Sequence, residues 1–106
     1  MPDTERTPAQ RIIGDFAPKL VELTDDVLFG DIWERPELSP RERSLITVAS
    51  LISGGNFEQL TFHLNKARDN GLTQAELVEV ITHLAFYAGW PKVNSAITVA
   101  KQVFGE

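Results

Sequence analysis

Apolar residues recur at helical intervals along most of the chain, and nowhere at the interval of two that a half-buried strand requires. Between residues 8 and 30 the apolar positions are Ile12, Ile13, Phe16, Leu20, Val21, Leu23, Val27 and Leu28. Pro18 interrupts them, so the spacing predicts a short helix to about Phe16 and a second from Pro18 to Phe29, closed by Gly30. Arg35-Pro36 disfavours helix in the connector that follows. Ile32 and Trp33 within it are large apolar groups that must plug the core or pack on a partner subunit.

The stretch Ser39–Ala67 carries the clearest signals. Ser39, Pro40 and Glu42 fit an N-cap, a first helical position and the third position of a capping box. After the apolar run Leu45–Ile52, Gly54 and Gly55 end that helix, and Asn56 starts the next. On a helical wheel Leu45, Val48, Ala49 and Ile52 share a face. Arg43, Thr47 and Ser50 share a narrow polar strip, the pattern of a helix buried on most sides. In the next helix Leu60, Leu64 and Ala67 form the apolar stripe, His63 lies at its edge, and Gly71 closes it. Thr73 with Glu76 predicts a second capping box. Leu77, Val78, Ile81, Leu84, Ala85 and Ala88 form that helix's stripe, with Glu76, Glu79, His83 and Phe86 opposite, up to a stop at Gly89. Pro91 opens a last helix with Val93, Ala96, Ile97, Ala100, Val103 and Phe104 on one face. The expectation is an all-α bundle of five to six helices, with residues 1–10 a flexible tail and 11–106 a single domain. Phe62, Phe86 and Trp33 fall where the wheel of a monomer predicts solvent, which points to a second face covered by another copy.

Composition narrows the chemistry. The chain has 106 residues, a net charge of −5, 42% hydrophobic and 24% charged residues, and no cysteine. Disulfides, thiolate catalysis and thiolate-ligated metal are thereby excluded. The acidic balance, without a cluster of Lys and Arg, argues against nucleic acid as partner. No run of about 18 apolar residues exists to span a membrane, and the first residues lack the apolar core of a signal peptide, so a cytoplasmic location is expected.

Among candidate chemical groups, His63 suits proton transfer at the rim of a core, or a plain hydrogen bond to a backbone carbonyl. His83 shares a helix side with Glu76 and Glu79, with the Tyr87 hydroxyl nearby; a solvated helix face is the simpler reading. Glu42 is accounted for by the cap. Arg43, on its polar strip, suits bidentate binding of a carboxylate. No HExxH-type spacing supports a metal site, and Gly54-Gly55 lacks the Lys-Ser/Thr of a phosphate-binding loop.

The runs RSLITVASLISGG and QLTFHLNKARDNGLTQAELVEVITHLAFYAGWP, above all Arg43-Ser44-Leu45, His63 with Ala67, Asn70-Gly71-Leu72-Thr73 with Glu76, and Tyr87-Ala88-Gly89-Trp90-Pro91, resemble the carboxymuconolactone decarboxylase family. This family belongs to the alkylhydroperoxidase D-like superfamily, and the resemblance spans roughly Phe29 to Phe104. It implies an all-helical subunit that assembles into homo-oligomers, trimers or hexamers, with pockets near subunit contacts. It also implies a cofactor-free lyase acting on γ-carboxymuconolactone in aromatic catabolism. The superfamily's peroxidase branch uses a glutamate, two cysteines and a histidine; on this chain they fall on Ser44, Asn56, Gln59 and His63. Amides cannot reduce a peroxide, so this is a cysteine-free branch without thiol peroxidase chemistry.

For a decarboxylase, Arg43 is expected to hold a substrate carboxylate and His63 to supply the proton that replaces CO₂. His83 and Tyr87 are expected to orient the substrate, with Glu42 and Trp90 as further substrate-binding candidates. The alternatives are a non-catalytic small-ligand-binding or assembly protein of the same fold, and an oxidoreductase accessory handling quinones or aromatics. Convergence of Arg43 and His63 on a solvent-reachable cavity separates enzyme from scaffold.

Overall fold

The computed structural model of the protein describes residues 5–105. Among them there are six α-helices and no strand. The chain divides into two compact units, Met1–Leu38 and Ser39–Glu106, where the sequence pattern draws one domain over 11–106.

In the first unit, α1 (Pro8–Ile12) starts from a capping box: Gln10 N–H donates to Thr7 Oγ1, and Thr7 N–H donates to the Gln10 side chain. The sequence pattern places these residues in a flexible tail, of which residues 1–4 lie outside the described residues. Gly14–Phe16 form a turn of 3-10 helix. Helix α2 (Pro18–Glu22) then continues as a wider π-helical stretch over Leu23–Phe29. Trp33, in a second 3-10 turn at Ile32–Glu34, is buried with its ring centroid 5.9 Å from that of Phe29. The wheel argument that put Trp33 on a surface therefore fails: the residue sits in a short turn, outside any long helix whose wheel applies.

In the second unit, α3 (Pro40–Gly54) and α4 (Phe57–Asp69) form a hairpin. Ser39 and Glu42 close the expected box at its start. At the corner Gly55 takes φ 73°, its N–H donates to the Ile52 carbonyl, and the Asn56 N–H donates to that of Leu51. This is a Schellman-type stop that favours glycine. Asn56 makes no side-chain cap, so its backbone serves the helix behind it instead of the one ahead. The same stop recurs at Gly71, where the Leu72 N–H reaches the Ala67 carbonyl at 2.9 Å.

Helix α5 (Gln74–Leu84) carries the Thr73–Glu76 box. It ends earlier than its apolar pattern suggests, because Ala85, Phe86 and Tyr87 donate to carbonyls three residues back and tighten the chain toward Gly89. Helix α6 (Trp90–Phe104) begins with Pro91 in its first turn.

The core gathers Val48, Ile52, Leu60, Leu64, Ala67, Leu77, Ile81, Val93, Ala96 and Ala100. At about 25 cal/mol per Å² of apolar area removed from water, these side chains supply the main drive for this unit. Two expectations shift. Leu45 and Ala49 are only half-buried, and Ile46 is 56% exposed, so α3 is covered on fewer sides than its narrow polar strip suggests. Val78 is 39% exposed and marks the edge of the α5 stripe.

Candidate functional site

Two places in the 39–106 unit hold the predicted side chains. The first is the outer seam of the α3–α4 hairpin. Asn70, at the end of α4, donates its amide to Ser44 Oγ at 3.0 Å. The last turn of α4 thus lies beside the first of α3, and the two run antiparallel from the Gly54-Gly55 corner. His63 precedes Asn70 by two turns on the same side of α4, roughly 10 Å nearer the corner along the axis. Arg43 directly precedes Ser44, and Thr47, one turn on, donates its hydroxyl to the Arg43 carbonyl at 2.8 Å. Arg43 Nε and His63 Nδ1 are both shielded from solvent.

His63 is half-buried, with the Phe62 ring edge-on at 5.0 Å between centroids. Burial lowers its pKa below the ordinary histidine value, and the positive charge of Lys66 adds to that shift. Its imidazole is therefore neutral near pH 7 when no anion is present. Lys66, itself half-buried, lies one turn from His63 on the same helix side.

The second place is a groove of about 500 Å³ between α3 and α5. Leu45, Ala49, Leu72, Val80 and Leu84 give it an apolar floor; Arg41, Glu76, Glu79 and His83 supply its polar groups. Arg41 pairs with Glu76. The Glu76 carboxyl also accepts from the Thr73 N–H at 3.0 Å. That backbone bond first, and the guanidinium second, hold its pKa below the usual carboxylate range. Neither Arg43 nor His63 lines this groove. The periodicity gives Arg41 no role, because its place is set by how α3 and α5 pack, which no single-helix wheel contains; Glu79 is a candidate for orienting His83 toward a cleft, and both line this groove.

The remaining candidates are distributed as follows. The His83 ring lies 4.9 Å from that of Tyr87. Trp90 meets Phe86 edge-on at 5.2 Å, and Phe86 and Tyr87 are each more than three-quarters exposed. The Glu42 carboxylate accepts from the Ser39 N–H at 2.9 Å, and bonds from Ser39 backbone and hydroxyl lower its pKa. That carboxylate is engaged in the cap. Among the described residues no group of three His, Asp or Glu side chains comes together as a metal site, and no helix is long and apolar enough to cross a membrane.

The described residues form an all-helical fold with an imidazole and a guanidinium on adjacent helices, in a chain without a thiol. A model of the carboxymuconolactone decarboxylase family matches residues 18–102, and the chain belongs to that family. It is 37% identical over 92 residues to the 4-carboxymuconolactone decarboxylase of Acinetobacter baylyi, covering 87% of this chain and 69% of that protein. It is 32% identical over 85 residues to the nitrosuccinic acid decarboxylase npaB of Metarhizium robertsii, covering 80% of this chain and 59% of that protein. An uncharacterized 15.0 kDa protein of Paracoccus denitrificans is 28% identical over 83 residues, 62% of its length. The chain thus spans less than two thirds of the latter two relatives.

Proposed function

We propose that the protein is a cofactor-free decarboxylase of small acids in which CO₂ leaves a carbon activated by a neighbouring electron sink, a carboxylated lactone of the γ-carboxymuconolactone type being the first candidate. The observation that carries this reading is membership of this family together with an Arg43 and a His63 on neighbouring helices, each with a ring or guanidinium nitrogen shielded from solvent. The two decarboxylases it is similar to are named for acids that share a chemical feature. Both acids contain a succinic acid skeleton with an electron-withdrawing group, a lactone in one and a nitro group in the other.

In the proposed step the bond between the ring carbon and the departing carboxylate breaks heterolytically. Its electron pair passes through the conjugated double bond to the lactone carbonyl oxygen, giving a dienolate. A proton then adds to the carbon next to that carbonyl and leaves an enol-lactone, so one carboxylate and one proton become CO₂ and a C–H bond. Arg43 anchors a carboxylate in bidentate fashion. His63 delivers the proton: an arriving carboxylate stabilises the imidazolium, so substrate binding itself loads the ring that is neutral in the free protein.

The exposed Phe62, Phe86, Tyr87 and Trp90 support a homo-oligomer, trimer or hexamer, in which His83 and Tyr87 face a subunit contact. A cytoplasmic site of action fits the same metabolic role. The α3–α5 groove, which excludes Arg43 and His63, favours the second reading of a small-ligand-binding or assembly protein. Measuring CO₂ release from γ-carboxymuconolactone and from nitrosuccinate decides between them. Turnover that falls at least a hundredfold in His63→Gln and Arg43→Met supports the enzyme. Ligand binding without CO₂ release overturns it, and full turnover in His63→Gln overturns the role given to His63.

A further inference from the structure

We propose that Asn70 is a site of spontaneous deamidation, held unreactive by the folded end of the α3–α4 hairpin and converted to aspartate or isoaspartate when that end opens.

The sequence supplies the reactive pair. Asn70 is followed by Gly71, whereas Asn56, Asn65 and Asn94 are followed by Phe57, Lys66 and Ser95. In deamidation the backbone nitrogen of the next residue attacks the amide carbon of asparagine. The new N–Cγ bond closes a five-membered succinimide, the Cγ–Nδ2 bond breaks, and the amide leaves as ammonia with the proton lost from the attacking nitrogen. Water then opens either carbonyl of the ring, giving aspartate or isoaspartate. A glycine nitrogen reacts best because no Cβ crowds its approach. Gly71 is exposed, with open space where a Cβ would stand.

The native structure withholds each reactant. The Asn70 amide donates to Ser44 Oγ at 3.0 Å and to the Pro40 carbonyl at 3.5 Å. The Gly71 N–H donates to the Arg68 carbonyl at 3.0 Å. Ring closure needs the Gly71 nitrogen eclipsed with Asn70 Cβ about the Cα–C bond. The observed ψ of 10° eclipses it with the backbone nitrogen of Asn70 instead. Reaction therefore requires the last turn of α4 to let go of α3 and the Asn70 backbone to rotate. Arg68, Asp69 and Gly71 are exposed, so this turn opens at lower cost than the core behind it. Asn65 and Asn94 lie inside α4 and α6, where the following N–H belongs to the helical ladder.

The products do not restore the closed end. Aspartate has no N–H to give Ser44 or Pro40, and it puts a negative charge beside the last carbonyls of α4. Isoaspartate adds a carbon to the main chain, which shifts Gly71 and Leu72 from the Arg68 and Ala67 carbonyls they bond.

The test incubates the whole protein at mildly alkaline pH and locates acid formation by peptide mass mapping, with isoaspartate counted by enzymatic methylation. Asn70 should convert at least about tenfold more slowly in the folded protein than in the same chain in urea. Ser44→Ala should speed conversion in the folded protein about fivefold, the added open population that one lost hydrogen bond gives. Ile97→Val, which trims the core at α6 for a similar loss of stability, should leave the Asn70 rate within about twofold of wild type. In Gly71→Ala, conversion should fall in urea as well as in the folded protein. Equal rates in folded and urea-unfolded wild type overturn the gate, as does a Ser44→Ala rate no faster than that of Ile97→Val. Conversion of Asn65 or Asn94 ahead of Asn70 in urea overturns the site itself.

Discussion

The Asn70 side-chain amide donates to the hydroxyl of Ser44, a residue with no exposed surface, at 3.0 Å. The peroxidase branch of the superfamily resembled here has a glutamate at the position of Ser44. In this chain that position carries a hydroxyl that fixes how α4 lies on α3. The bond ties the last turn of α4 to the first turn of α3, between two residues in the stretches that carry the family resemblance.

Breaking that bond from either side should therefore cost stability. Ser44→Ala should lose about 1 kcal/mol, and Asn70→Ala about 1–3 kcal/mol because it leaves a buried hydroxyl oxygen without the donor it accepted from. In the double variant the losses should add to less than their sum, since both singles remove the same bond. Urea unfolding of the four proteins checks this, and strict additivity contradicts it.

His63 sets a pH dependence of opposite sense to that of a salt-bridged histidine. Its folded pKa is lowered by burial and by Lys66, so below its unfolded value of about 6.5 the unfolded chain binds more protons than the folded one. Stability then rises with pH in that window: the contribution is complete above about pH 6.5 and declines as pH falls toward the folded pKa. Thermal midpoints from pH 7.5 to 5 should show this decline in wild type and a shallower one in His63→Gln. Substituting Lys66 by Met should raise the His63 pKa without restoring the ordinary value, because burial is the larger cause.

At lower pH the two capping glutamates take over. Glu42 and Glu76 both have lowered pKa values, through backbone and hydroxyl bonds from Ser39 in one case and through Thr73 and Arg41 in the other. Their stabilisation is present above about pH 4.5 and is lost as pH falls through the folded values. Glu76→Gln should lower the thermal midpoint at pH 7 more than Glu42→Gln, since only Glu76 also ties α5 to Arg41 of α3. Ser39→Ala, which removes a cap hydroxyl alone, should cost about 1 kcal/mol. An equal effect of the two glutamine variants would show that the Arg41 pair contributes nothing.

Gly71 holds φ 98° with open space where a Cβ would stand. Gly71→Ala should thus cost only the backbone term, about 1–2 kcal/mol, with the α3–α4 seam unaltered. A much larger loss in denaturant titration would mean that the side chain meets something besides its own backbone.

The elements with a local chemical signature were legible from residue types alone. The boxes at Ser39 and Thr73 and the stops at Gly55 and Gly71 are short-range devices, each complete within a few residues. The stripe Leu60, Leu64, Ala67 is equally local, and all three residues are fully buried. Legibility ends where a feature needs two elements. Trp33 stays open between core and partner surface in the sequence because a wheel is applied to a turn that has none, and Phe86 and Tyr87 left α5 once the chain tightened after Leu84. The groove lined by Arg41, Glu79 and His83 exists only because α3 and α5 converge. The half-burial of His63 was legible because the residue lies at the edge of an apolar stripe.

The exposed ring cluster at the α5–α6 corner makes the last prediction. Phe86 and Tyr87 are 76% and 77% exposed, and Trp90 is 56% exposed; with Ile46 and Val78 they put more large apolar groups at the surface than a small monomer needs. The Phe86–Trp90 contact is already made within the chain, so burial of their outer faces requires another molecule. If that molecule is a second copy, Phe86→Glu should shift the protein from an oligomer to a monomer in light scattering, while helical content by circular dichroism stays the same. Lys101→Glu on the exposed side of α6 changes the charge by the same amount and should leave the mass unchanged. Because His83 stacks on Tyr87 beside these rings, the monomer should also differ in its His83 ring resonances and leave those of His63 unchanged. An unaltered mass in Phe86→Glu would remove the homo-oligomer from this corner of the fold.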